Sequence, residues 1–163
     1  MIDLQQFWQG RDKTHAAELT DAIRVNGAET VARVNALLNF AAEHGVTVDT
    51  VASGWRPADI NADTPNAAPT SRHMTGEACD LQDDKDRSFA RWCLRNTAPL
   101  CFQFGVPDLL AEVGLWMEHA QWTPTWVHLQ IVPPHSGRRI FVPSENPPLA
   151  EALPEQTRAN ALA

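Results

Sequence analysis

Apolar residues recur along the first third of the chain at three- and four-residue intervals. The clearest run, Val31, Val34, Leu37, Leu38 and Ala41, marks one face of a helix over Ala28 to His44, with Gly45 as its stop. A shorter helix is predicted from Ala16 through Leu19 to Arg24, capped by Thr14 or Asp12. This third reads as scaffold. His15 and His44 read as surface or helix-end residues, where a cation suits the helix dipole. Val46 to Val51 reads as a short strand entering Ser53-Gly54-Trp55-Arg56-Pro57. Asp59 to Thr70, rich in Asn, Asp, Pro, Ala and Thr, has turn chemistry and is expected to cross the surface as a loop. Ala78 to Leu81 reads as the next strand, and Asp83-Asp84-Lys85-Asp86 as its polar exit. Asp86 or Ser88 would cap a helix through Phe89, Trp92, Cys93 and Leu94. The acidic run lacks the spacing of a calcium loop and reads as a solvated turn and helix start. Two apolar segments, Val113 to Met117 and Trp126 to Val132, flank Ala120 to Thr125 and predict a β-hairpin with a Pro-containing loop. Pro133 and Pro134 end it.

These elements make the fold class α+β: N-terminal helices packed on a small, mainly antiparallel sheet. The chain has 163 residues, enough for one domain with a proper core. The domain is placed at 1–143. Ser144 to Ala163, rich in Pro, Glu, Asn and Ala, reads as a C-terminal tail with a weak helix near Leu149 to Leu153.

Charge narrows the partners. The net charge is −7 with no Lys/Arg cluster, which argues against nucleic acid. Cys79, Cys93 and Cys101 are the three cysteines. Three cannot all pair within one chain and no Cys-x-x-Cys occurs, so reduced, partly buried thiols and a cytoplasmic origin are expected. The N-terminus lacks a basic region followed by an apolar run, so no signal peptide is predicted. No stretch of about 18 apolar residues suggests a membrane span. A monomer is expected.

The candidate chemistry lies in Ser71-Arg72-His73-Met74-Thr75-Gly76-Glu77-Ala78-Cys79-Asp80 and, far downstream, Trp126-Val127-His128. Two imidazoles and a carboxylate suit a catalytic zinc, which takes three protein ligands and keeps a fourth position for water. Gly76 and the small residues around it let the backbone bend so that His73 and Asp80 converge. Cys79 adjoins Asp80, but strand neighbours point to opposite faces, so it is expected to pack in the core. His135 and Arg138-Arg139 read as surface loop. Trp55, Trp116, Trp122 and Trp126 suit either a cleft or a core.

The pattern Ser-x-His-x-x-Gly-x-Ala-x-Asp followed by Trp-x-His, with Ser53-Gly54-Trp55-Arg56 before it, resembles the zinc D-alanyl-D-alanine carboxypeptidase family. That family includes the vancomycin-resistance D,D-dipeptidases and phage endolysins, and the hedgehog signalling domain shares its metal-site fold. The resemblance spans about Ser53 to Val132. It implies Zn2+ on His73, Asp80 and His128 and hydrolysis of a peptide bond in peptidoglycan, one involving a D-amino acid. The substrate would be a peptidoglycan peptide or a D-amino-acid dipeptide, cleaved by carboxypeptidase or endolysin-type endopeptidase action. Release to the cell wall or carriage on a virion would bring the enzyme to it. The sequence departs from the family at one point. The family base stands two or three residues before the last ligand, where this chain has Trp126 and Thr125. If Glu118 pairs opposite His128, it shares that face with Trp116 and Gln130, so Glu118 is the first candidate base and His119 the second. Arg56 would stabilise an oxyanion or grip a substrate carboxylate, and Ser71 would bind substrate or orient the metal loop. The displaced base also motivates an alternative, a non-catalytic zinc-binding module in the structure or assembly of a phage or bacterium. A third reading is a cytoplasmic zinc hydrolase of small dipeptides.

Overall fold

The computed structural model describes residues 1–97 and 108–145. Cys101 and the helix expected near Leu149 to Leu153 lie outside the described residues. Three helices open the chain. α1 (Leu4–Trp8) carries a capping box between Asp3 and Gln6 and buries Phe7 and Trp8. α2 (Arg11–Thr14) ends on His15, so the helix expected from Ala16 to Arg24 does not form there. α3 (Asp21–Glu43) begins instead at the Thr20 cap and continues without a break to His44. Val25-Asn26-Gly27 is poor in helix propensity, but tertiary bonds carry the helix through it. Asn26 Nδ2 donates to the Thr75 carbonyl at 3.0 Å and Thr30 Oγ1 to the Gly76 carbonyl at 2.8 Å. Gly45, with φ +75°, follows the helix end as expected.

Among the described residues five strands form one sheet: β1 (Val51–Ser53), β2 (Ala78–Gln82), β3 (Trp116–Glu118), β4 (Trp126–Gln130) and β5 (Ile140–Phe141). Their order is β1-β2-β4-β3-β5. Every neighbouring pair is antiparallel except β3 with β5. The sheet is thus mixed within an α+β fold. The expected strand over Val46 to Val51 begins only at Val51, while Val46 and Val48 pack against the core from outside the sheet. β3 starts three residues later than the apolar run, because Val113-Gly114 turns the chain out of α6 (Leu109–Glu112).

One sheet face carries Cys79, Leu81, Val127, Leu129 and Met117. All are almost fully buried, in the same core as Val34, Leu37 and Leu38 of α3. Cys79 stands across from Leu129, and burial pushes its thiol well above the usual range. It is a core residue.

Two further expectations are corrected. The segment after Pro57 is not wholly loop, since Ala58–Asp63 forms α4. It is tied down by Ala58 N–H donating to Glu18 and Asn61 Nδ2 donating to the Ala68 carbonyl. Neither Asp86 nor Ser88 caps α5 (Ser88–Arg95). Asp84 accepts from Ser88 N–H at 2.9 Å, and Asp83 accepts from Phe89 and Ala90 N–H at 3.2 and 3.0 Å. Asp83 is buried by this role rather than solvated.

Candidate metal centre

The site begins with strand register. Asp80 of β2 stands directly opposite His128 of β4, and Ala78 opposite Gln130. Side chains alternate along a strand, so Asp80, His128 and Gln130 share the face opposite the Cys79–Leu129 core pair. The same register extends to β3, where Trp116 faces Gln130 and Met117 faces Leu129. Glu118 comes next along β3, towards His128.

His73 reaches this face through a tight turn. Met74 N–H bonds to Ser71 O, Gly76 N–H to His73 O and Glu77 N–H to Arg72 O. Gly76 has φ +74°, and a Cβ there would lie 2.8 Å from the Ile23 carbonyl of α3. Only glycine combines that backbone with that approach. Ser71 supports the turn by accepting the His73 N–H at 3.3 Å, and it also lines the cleft described below.

Three donor atoms converge. His73 Nε2 lies 3.2 Å from Asp80 Oδ1 and 3.3 Å from His128 Nδ1, and His128 Nδ1 lies 2.7 Å from Asp80 Oδ1. All three residues are buried, and the group could hold a metal ion. Tetrahedral zinc with ligands at 2.0–2.1 Å sets its donors roughly 3.3 Å apart, and two of the three separations match. The third is a hydrogen-bond distance.

Each ligand is also held from behind. His73 Nδ1 lies 2.7 Å from the Gly54 carbonyl. A carbonyl only accepts, so Nδ1 carries the proton and Nε2 keeps a lone pair for a metal. Position 54 is itself pressed against α1, where a Cβ would run into the Phe7 carbonyl, so only glycine fits there. Asp80 Oδ2 accepts from Arg56 Nη2 at 2.7 Å, and Arg56 Nε donates to Ser53 Oγ at 2.8 Å. His128 Nε2 lies 3.3 Å from Gln130 Oε1.

The three donors differ in their electrostatics. Burial lowers the His73 pKa despite the nearby Asp80 carboxylate, which favours the neutral, ligating imidazole. Burial pulls His128 down too, but the hydrogen bond and charge of Asp80, with help from Glu118, raise it overall. Burial pushes Asp80 upward, yet the two histidines hold it far below the usual carboxylate range. A divalent cation would replace the proton shared within this group.

Around the centre lies an open cleft of about 820 Å³. Its lining includes Arg56, Ser71, His73, Asp80, Glu118 and His128. Glu118 is half-buried, and its carboxyl is raised above the ordinary range by burial first and by Asp80 second. His119 does not belong to that lining. Its N–H donates to Phe141 O and its Nδ1 accepts from Gln121 N–H. Trp122 and Trp126 stand on the cleft wall, with Trp122 exposed on the rim. Trp55 is core, its Nε1 donating to the Met74 carbonyl. Trp116 lies under the Arg139 guanidinium, 4.1 Å from the ring centre. Arg139 also donates to the Leu115 carbonyl, so it is a packed residue rather than one of a solvated pair. His135 is exposed in its loop.

Thr64 to Thr70 forms much of the opposite wall. Sequence reading missed this, because small residues without periodicity look the same on a cleft wall as on any surface. Gln130 carried a usable signal, since two residues after a ligand in a strand means the same face. A second acid–imidazole group, His15, Glu18 and Asp59, has a structural explanation. His15 bonds Asp59 at 3.0 Å and Glu18 accepts from Ala58, which fastens α4 to the N-terminal helices.

Arg56 makes a bond beyond its expected role, since it grips a candidate ligand as well as lining the cleft. Arg56→Lys is therefore expected to weaken zinc binding about tenfold or more, the scale for losing a partner behind a ligand, besides lowering turnover. One ammonium cannot reproduce a fork that serves Ser53 and Asp80 together. Chelator competition on the purified variant checks this, and unchanged affinity would show that Asp80 needs no such brace.

Compared with protein-family models, with curated proteins and with solved structures, the chain finds no match in any of the three.

Proposed function

We propose that this chain is a zinc-dependent hydrolase of a peptide bond in peptidoglycan, one involving a D-amino acid. The observation that carries the proposal is the convergence of His73 Nε2, Asp80 Oδ1 and His128 Nδ1 in a cleft also lined by Glu118. The substrate class comes from the resemblance over Ser53 to Val132. An open cleft of about 820 Å³ favours a peptide longer than a free dipeptide.

Zinc on these three residues supplies Lewis acidity and makes water a better nucleophile near neutral pH. The remaining work belongs to the chain. Glu118 takes a proton from the attacking water as the new C–O bond forms. It returns that proton to the departing amine as the C–N bond breaks. A half-buried carboxylate on the wall of this cleft can both accept and donate a proton. Arg56 holds Asp80 and faces the cleft, where its guanidinium can meet a substrate carbonyl or carboxylate. Ser71 shapes the turn that presents His73.

The test is metal content measured together with amine release from purified peptidoglycan. One zinc per chain and new amino groups are the expected result. Zinc without any cleavage favours the non-catalytic binding module, a reading that Thr125 and Trp126 at the family's base position also support. A chain that takes up no zinc overturns both.

A further inference from the structure

We propose that Gln130 is a positioning residue that dictates which nitrogen of His128 receives the metal. This rests on the metal-centre reading above and concerns how the chain prepares one ligand.

The argument starts from what each atom can do. Gln130 is completely buried on β4, two residues beyond His128 and on the same strand face. Its Nε2 donates to the Val132 carbonyl at 2.6 Å. A carbonyl accepts and never donates, so this bond fixes the amide with its NH2 towards Val132. Oε1 is then the atom turned to His128 Nε2, at 3.3 Å. An amide oxygen also only accepts, so the contact is satisfied only when His128 Nε2 carries a hydrogen. Asp80 Oδ1, 2.7 Å from Nδ1, is likewise an acceptor only, so Nδ1 holds a hydrogen until a metal displaces it; with the Nε2 hydrogen kept by Gln130, Nδ1 is then the nitrogen whose lone pair is freed. Nδ1 is the atom that faces Asp80 Oδ1 and His73 Nε2. The backbone of residue 132 thus sets the Gln130 amide, and the amide sets the imidazole.

His73 is prepared in mirror fashion. There a backbone carbonyl, Gly54 O, takes the Nδ1 hydrogen and leaves Nε2 for the metal. His128 lies mid-strand, where its own neighbours' carbonyls are committed to the ladder. A side-chain amide anchored on the Val132 carbonyl does the equivalent work.

Two substitutions separate this role from packing. Gln130→Met removes the hydrogen bonds to His128 and to the Val132 carbonyl at similar volume. Gln130→Glu keeps an oxygen acceptor for His128 Nε2–H and loses the bond to Val132. Zinc affinity of the full chain is measured by chelator competition, and the melting temperature of each metal-free protein is recorded alongside. Gln130→Met is expected to bind zinc about 10- to 100-fold more weakly, the usual effect of losing the partner behind a ligand. Gln130→Glu is expected to stay within a few-fold of wild type although its metal-free form melts lower. Gln130→Met with wild-type affinity, or both variants weakened in proportion to their lost stability, overturns the proposal. If the variants do not fold, nitrogen NMR of the zinc-loaded wild-type chain decides. A hydrogen on His128 Nε2 with Nδ1 ligated supports it, and the reverse assignment overturns it. Failure of the wild-type chain to bind zinc would instead remove the metal-centre reading itself.

Discussion

His73→Ala and His128→Ala are each expected to emerge from purification without zinc and to melt about 5–15 °C below the zinc-loaded wild-type chain. A metal that binds only the folded state stabilises it by about 2.7 kcal/mol at a hundred times its dissociation constant and about 4.1 kcal/mol at a thousand times. For a domain of 150–250 residues, each kcal/mol moves the melting temperature by about 2–4 °C. The geometry makes both histidines indispensable, because each supplies one of the three protein donors that converge among the described residues. Chelator should lower the wild-type melting temperature towards those of the variants and leave the variants unmoved. His15→Ala is the matched control. It removes an imidazole from the group that fastens α4 and should leave zinc content unchanged. Full zinc retention in both His73→Ala and His128→Ala would exclude this centre.

Glu118→Gln is expected to keep its zinc and its fold while hydrolysing peptidoglycan about a hundredfold more slowly or worse, the usual scale for losing general-base catalysis. Gln preserves the shape and hydrogen-bonding reach of Glu but cannot take a proton, so the variant isolates proton transfer. Glu118 lines the same cleft as the three candidate ligands, and the pairing of Met117 with Leu129 brings it alongside His128. His119→Ala should hydrolyse at close to the normal rate, since its ring nitrogen serves the Gln121 N–H. If His119→Ala is inactive and Glu118→Gln is not, His119 is the base.

How much of this was legible beforehand follows from which forces set each element. The strand at Ala78 to Leu81 and the partner at Trp126 to Val132 declare themselves by their apolar runs and flanking turn residues. Once both are placed, Asp80, His128 and Gln130 fall on one face by simple alternation. The helix through Val34 and Leu38 is equally plain. Elements fixed by distant partners were not legible. α4 has six residues and no apolar stripe, and its hold on the fold comes from Glu18 and Ala68. The cap of α5 comes from Asp83 and Asp84 because Arg87 adopts φ +58°, which displaces the cap from the position that spacing suggests. The parallel pairing of β3 with β5 joins Met117 to Ile140, a closure that no local pattern announces. The bond from Arg56 to Asp80 was hidden for the same reason, since 24 positions separate the two residues.

The opposition of Asp80 and His128 across β2 and β4 bears on how the chain reaches its native state. A slip of one residue between these strands would exchange the two sheet faces. Cys79 or Leu81 would then stand where Asp80 belongs, and no three-donor cage would form. Zinc would reward only the correct alignment, acting during folding as a proofreader of strand pairing, and chains refolded without it should sample misaligned sheets for longer.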